Sequence, residues 1–101
     1  MPRIHQLYNA DEEEELIHNE RAVIIFFGSP GCGHCRAITP TYNSLSDKYP
    51  TITFAYVDCS QIKADNIQGY PTFVGYLNGS VFNLVIGSDE RGLINMIKSM
   101  L

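Results

Sequence analysis

The residues Ala22-Val-Ile-Ile-Phe-Phe27 form an apolar run with no polar break, rich in β-branched and aromatic side chains. Such a run predicts a central β-strand covered on both faces rather than a half-exposed one. It is far too short to span a bilayer, which needs about 20 residues. A strand buried on both sides requires a layer above and below it, so helices must pack on both faces of a sheet. The next residues, Gly28-Ser-Pro-Gly31, break the strand. A helical pattern then opens at Cys32 and runs to about Lys48, with Pro40 inside it, where a kink is expected.

The remaining segments fit the same architecture. Ile4, Gln6 and Tyr8 alternate as in a short strand, and Asn9 is placed to cap a helix over Ala10 to Asn19 that buries Leu16 and Ile17. Thr51 to Val57 reads as a second buried strand, closed by Asp58. Ser60 to Asn66 suits a turn or short helix. After the break at Gly69-Tyr-Pro71, Thr72 to Leu77 and Ser80 to Ile86 flank Asn78-Gly79, a strong hairpin signal. Ser88 is a candidate cap for a last helix, Asp89 to Met100, with Leu93, Ile94 and Ile97 at helical spacing. The order predicts an α/β fold whose mixed sheet has about five strands and about four flanking helices. Its 101 residues suit one domain spanning 1–101.

Charge and composition exclude several classes of function. Net charge is −4, and seven Lys and Arg are scattered without a basic run. A nucleic-acid or anionic-membrane surface is not expected. The acidic run from Asp11 to Glu15 suits the first turn of a helix. No basic start followed by an apolar stretch marks a signal peptide, which favours the cytoplasm. Three cysteines are too few for a disulfide scaffold, and in a reducing compartment a close pair is redox-active or metal-binding.

Cys32-Gly-His-Cys35 follows the buried strand across a Gly/Pro turn and opens a helix. The N-terminus of a helix favours negative charge, so the spacing makes Cys32 the exposed thiolate nucleophile. Cys35 lies one turn on and faces the same side. Cys32 would attack a disulfide and Cys35 would resolve the mixed disulfide. His34 can stabilise the Cys32 thiolate, Arg36 adds in the same direction, and the Gly33-His34 dipeptide points toward an oxidising couple. The competing reading is a zinc site. A closed site needs four ligands, and only Cys59, His5, His18 and His34 remain, without a second pair at the usual spacing. No metal or other cofactor is therefore expected.

These residues, with Pro40, Tyr56-Val-Asp-Cys59, Gly69-Tyr-Pro-Thr72, the Asn78-Gly79 hairpin and Gly87, resemble the thioredoxin superfamily over nearly the whole chain. The Gly-His dipeptide and Val-Asp-Cys string resemble protein disulfide isomerase domains, while the short length resembles a cytosolic thioredoxin. The resemblance implies a thioredoxin fold, a cis bond before Pro71, and substrate backbone pairing at Tyr70. Without the resemblance, Pro71 reads as an ordinary loop proline. Family members usually carry a Trp where Gly31 stands, so a substrate-facing wall is missing. Phe26 replaces a buried acid usual in the family, and Tyr56 replaces the Lys that commonly pairs with it. Loss of both charges together is physically coherent, since a single buried charge would be left unpaired. Without that acid, the Cys35 proton would go to water, His34 or Tyr56, and resolution is expected to be slow.

The activity implied is protein dithiol–disulfide exchange, with protein disulfides or dithiols as substrates and a reductase or thiol oxidase as redox partner. The alternative is a binding module that kept the fold but lost turnover. Cys59 reads as a buried small residue or as a regulatory thiol. His5 and His18 are expected at the surface, and Tyr42 and Tyr49 along the long helix.

Overall fold

The computed structural model describes residues 3–64 and 66–101. Five strands form one mixed sheet: β1 (Ile4–Leu7), β2 (Ala22–Gly28), β3 (Thr53–Asp58), β4 (Thr72–Leu77) and β5 (Ser80–Ile86). Their spatial order is β1-β3-β2-β4-β5. The β3 strand runs parallel to both β1 and β2, and the β4 strand is antiparallel to both β2 and β5. Three helices are present among the described residues: α1 (Ala10–Asn19), α2 (Gly33–Lys48) and α3 (Glu90–Met100).

The apolar run behaves as its composition requires. Every residue of β2 is buried, and successive side chains supply two separate cores. Ala22, Ile24 and Phe26 face α2 and α3, where they meet Ile38, Tyr42, Phe54, Phe73, Leu93 and Ile97. Val23, Ile25 and Phe27 face the other way, toward Leu7, Val57 and Val74, under Leu16 and Ile17 of α1. The period of two along a strand is what divides one run between two layers.

Local signals set most boundaries. The Asn9 side chain accepts from the Glu12 N–H at 2.9 Å, and the Glu12 carboxylate in turn accepts from the Tyr8 N–H at 2.6 Å. This reciprocal arrangement fixes the start of α1. Asn78 and Gly79 adopt φ of 51° and 84°, the left-handed pair that closes a two-residue hairpin. The α2 helix continues through Pro40 to Lys48.

Three expectations need correction. The described residues of the Ser60–Asn66 segment take the turn alternative, so three helices among the described residues flank the sheet instead of about four. The Asp58 carboxylate accepts from both the Ser60 N–H and the Ser60 hydroxyl, at 2.9 and 2.6 Å, which turns the chain immediately. Asn66 adds a left-handed residue with φ of 66°. Asp89, not Ser88, caps α3, because its carboxylate accepts from the Gly92 N–H at 2.8 Å. Tyr8 lies outside β1 and is exposed, while Leu7 supplies the buried contact. The turns of the β3–β4 connection leave Val81, Leu84 and Ile86 of β5 exposed along a groove above Val74.

Candidate active site

The active cysteines sit where β2 hands over to α2. Gly28 ends β2, its carbonyl accepting from the Cys59 N–H at 2.8 Å, and Ser29 to Cys32 make the turn. Cys32 is the N-cap of α2, and its sulfur accepts from the Cys35 N–H at 3.2 Å. A helix-start N–H donor aimed at its sulfur marks Cys32 as the attacking thiol of the pair. Cys32 is half-buried and Cys35 is 3% exposed, so only the first thiol can meet a protein substrate directly.

Cys35 is enclosed by aromatic edges. A Cβ placed on Gly28 would lie 2.8 Å from Phe26, 3.1 Å from the Cys35 sulfur and 3.3 Å from Tyr56. Glycine is thus required where backbone, thiol and two rings converge. Phe26 stands edge-on to Tyr42 and to Tyr56, with ring centroids 5.1 Å apart in both pairs. Phe26 and Tyr56 also pair in register across β2 and β3. Phe26 and Tyr56 are therefore direct neighbours joined by a ring–ring contact.

This setting raises the Cys35 pKa. Burial is the largest cause, the hydrogen bond to Cys32 and its charge add to it, and the Ser29 backbone opposes, for a value of about 11 against an ordinary 9.0. Burial, followed by the Asp58 charge, pushes the Tyr56 phenol up to about 12 from 10.0. Tyr56 near neutral pH therefore holds its proton and cannot serve as a base. Tyr42 lies deeper, its hydroxyl within 3.0 Å of the Ile24 carbonyl and 2.6 Å of the Ala55 carbonyl while accepting from the Ala55 N–H at 3.2 Å. It ties α2 to both central strands. Sequence pattern gave it only a place along the helix, because apolar spacing carries no sign of where a hydroxyl will bond.

The other singled-out residues ring the pair. Gly31, Gly33, His34 and Arg36 are all exposed on the turn and first turn of α2. The Tyr70–Pro71 bond is cis, Pro71 is buried, and its carbonyl accepts from the Gly87 N–H at 2.7 Å. Tyr70 is 43% exposed. Cys59 is the largest influence holding the Tyr70 phenol above its ordinary range, and Cys35 contributes as well. The Tyr70 phenol neighbours the half-buried Cys59, whose own thiol is raised chiefly by burial. Tyr70 is thus within electrostatic reach of both Cys59 and Cys35, a link the sequence reading missed because it depends on the fold. His5 and His18 are exposed. Among the described residues no cluster of three His, Cys, Asp or Glu side chains could hold a metal, and no helix is long and apolar enough to cross a membrane.

Residues 3–99 match the family model described as thioredoxin. The chain is 32% identical over 99 residues to putative thioredoxin-5 of Dictyostelium discoideum, covering 92% of this chain and 94% of that one. It is 37% identical over 83 residues to thioredoxin Asp f 28 of Aspergillus fumigatus, covering 77% of each. It is also 30% identical over 96 residues to protein disulfide-isomerase of Saccharomyces cerevisiae, covering 89% of this chain but 18% of that protein. Among solved structures, Fasciola hepatica thioredoxin superposes with a TM-score of 0.92 at 28% identity, over 97% of this chain and all of that one.

Proposed function

The chain belongs to the thioredoxin family, and from that membership we propose an oxidising or isomerising bias for its Cys32–Cys35 couple. It is a thiol–disulfide oxidoreductase. Proteins of this family act on protein disulfides together with reductase partners. In this reading the Cys32 thiolate attacks a substrate sulfur, forming a mixed disulfide and releasing one substrate thiolate. Cys35 then gives up its proton to solvent and attacks the Cys32 sulfur. The second substrate thiol leaves, and the Cys32–Cys35 disulfide remains. Run backwards, the same steps oxidise a substrate dithiol.

The observation that carries the proposal is the Cys35 N–H donated to the Cys32 sulfur at 3.2 Å. That backbone donor at the start of α2 favours the dithiol over the disulfide, which makes the disulfide the stronger oxidant. Exposed His34 and Arg36 beside the pair add in the same direction. This is the disulfide-isomerase-like side of the family's range. Gly31 supplies no side chain at the substrate-facing rim, so substrates would be gripped through Tyr70 and Pro71. The odd cysteine count favours a reducing, cytoplasmic setting with a reductase or thiol oxidase as partner.

The test is insulin reduction with excess dithiol, run beside Cys32→Ser. Turnover by the parent chain and none by Cys32→Ser supports the exchange chemistry, and a reduction potential above about −270 mV supports the oxidising bias. Equal rates above background in both, or none in either, would leave the binding-module alternative.

A further inference from the structure

Behind Cys35, on the β1–β3 side of α2, a cavity of about 360 Å³ opens to solvent. That size lies at the small-ligand end of binding sites. Buried Phe26, Tyr42 and Cys35 lie at its floor and half-buried Tyr56 on its wall. Residues from β1, β2, β3 and α2 all contribute, so a rigid sheet and a long helix hold its shape.

The rim has one sign of charge. Arg36 is the only ionic side chain among the lining residues, which include Gln6, Asn43 and Thr39 but no acid. Arg36 forms no ion pair among the described residues. In a chain of net charge −4, an unpaired guanidinium over an aromatic slot selects for a planar apolar body with an anionic end. The groove under β5 lacks that selectivity, because Glu13 and Lys63 both border it.

We propose that this cavity binds small aromatic carboxylates, the ring resting on the half-buried Tyr56 at the cavity wall and the carboxylate on Arg36. Binding does not depend on the exchange reaction, so it is read without an activity assay.

The test uses the reduced full-length chain, labelled with ¹⁵N and titrated with 2-naphthoate, with 2-naphthamide as the neutral isostere. Saturable shifts at Phe26, Cys35, Tyr42 and Tyr56 are expected, with dissociation on the order of 1 mM or tighter. The amide should bind about 3- to 5-fold more weakly, and Arg36→Gln should bring the acid to the amide's level. Asn43→Trp, which narrows the mouth, should abolish the shifts. Three results would overturn the proposal: no saturation up to about 10 mM, shifts confined to Val81, Leu84 and Ile86, or equal affinity for acid and amide. Loss of exchange activity with binding intact would instead refute the functional reading alone.

Discussion

Resolution of the mixed disulfide should depend steeply on pH, because the side-chain charges acting on Cys35 among the described residues are those of other cysteines, with no carboxylate among them. A thiol at 9.0 is about 1% thiolate at pH 7, and one at about 11 is about 0.01% thiolate. That is a hundredfold loss of reactive form. The more basic sulfur is a better nucleophile by about 6- to 10-fold across two pKa units. The net slowing is therefore about 10- to 16-fold. Once Cys32 is bound in the mixed disulfide it carries no charge, so its share of the shift disappears while burial, the largest cause, remains. The apparent pKa of the step thus falls between 9.0 and about 11. The assay is single-turnover stopped flow, following chromophore release from a mixed disulfide of Cys32 with a thionitrobenzoate. The rate should rise tenfold per pH unit from about pH 6 to at least pH 8. Phe26→Asp, which returns a carboxylate beneath the thiol, should flatten that slope, and should cost about 3–5 kcal/mol of stability through lost ring packing and an unpaired buried charge. A rate already flat across pH 6 to 8 in the parent chain would mean that a base is present, and the reasoning would fail.

Three further outcomes follow from the same geometry. Gly28→Ala should destabilise the fold by about 1–3 kcal/mol in urea unfolding, since its Cβ would press on Phe26 and the Cys35 sulfur. Tyr42→Phe keeps the ring contacts but removes the hydroxyl bonded to β2 and β3, and should cost about 1–2 kcal/mol by the same measurement. Stability of the reduced chain should fall as pH rises. Between 9.0 and about 11 the unfolded chain gives up the Cys35 proton that the folded chain keeps, and between 10.0 and about 12 the same holds for Tyr56. Urea midpoints flat to about pH 8.5 and declining above it are expected, with Cys35→Ser removing the first part of the decline.

The sequence carried much of this design, for identifiable reasons. Ala22–Phe27, the Asn78-Gly79 turn and the Asn9 cap are local signals, and each sits where local physics puts it. The strand–turn–helix placement of Cys32 and Cys35 was legible because a helix start and a Cys-x-x-Cys spacing occur in one stretch of chain. What escaped depends on tertiary neighbours. The Ser60–Asn66 segment was balanced between turn and helix, and the Asp58 side chain decided it. Asp89 outcompeted Ser88 as a cap because its carboxylate reaches the Gly92 N–H. The contact of Phe26 with Tyr56, the Tyr70–Cys59 link and the cavity behind Cys35 join residues far apart in sequence. Gly28 was the one clue within reach, since a glycine ending a buried strand signals a close approach.

The reduction potential of the Cys32–Cys35 couple tests the central claim most directly. It can be read by equilibrating the full chain in glutathione or dithiol buffers, trapping with acid and alkylation, and weighing the oxidised and reduced forms. We predict a reversible two-electron couple lying above thioredoxin's about −270 mV and toward the roughly −180 mV of disulfide isomerases. A couple at or below about −270 mV would contradict the oxidising bias, and failure to form a Cys32–Cys35 disulfide at any poise would contradict the account as a whole.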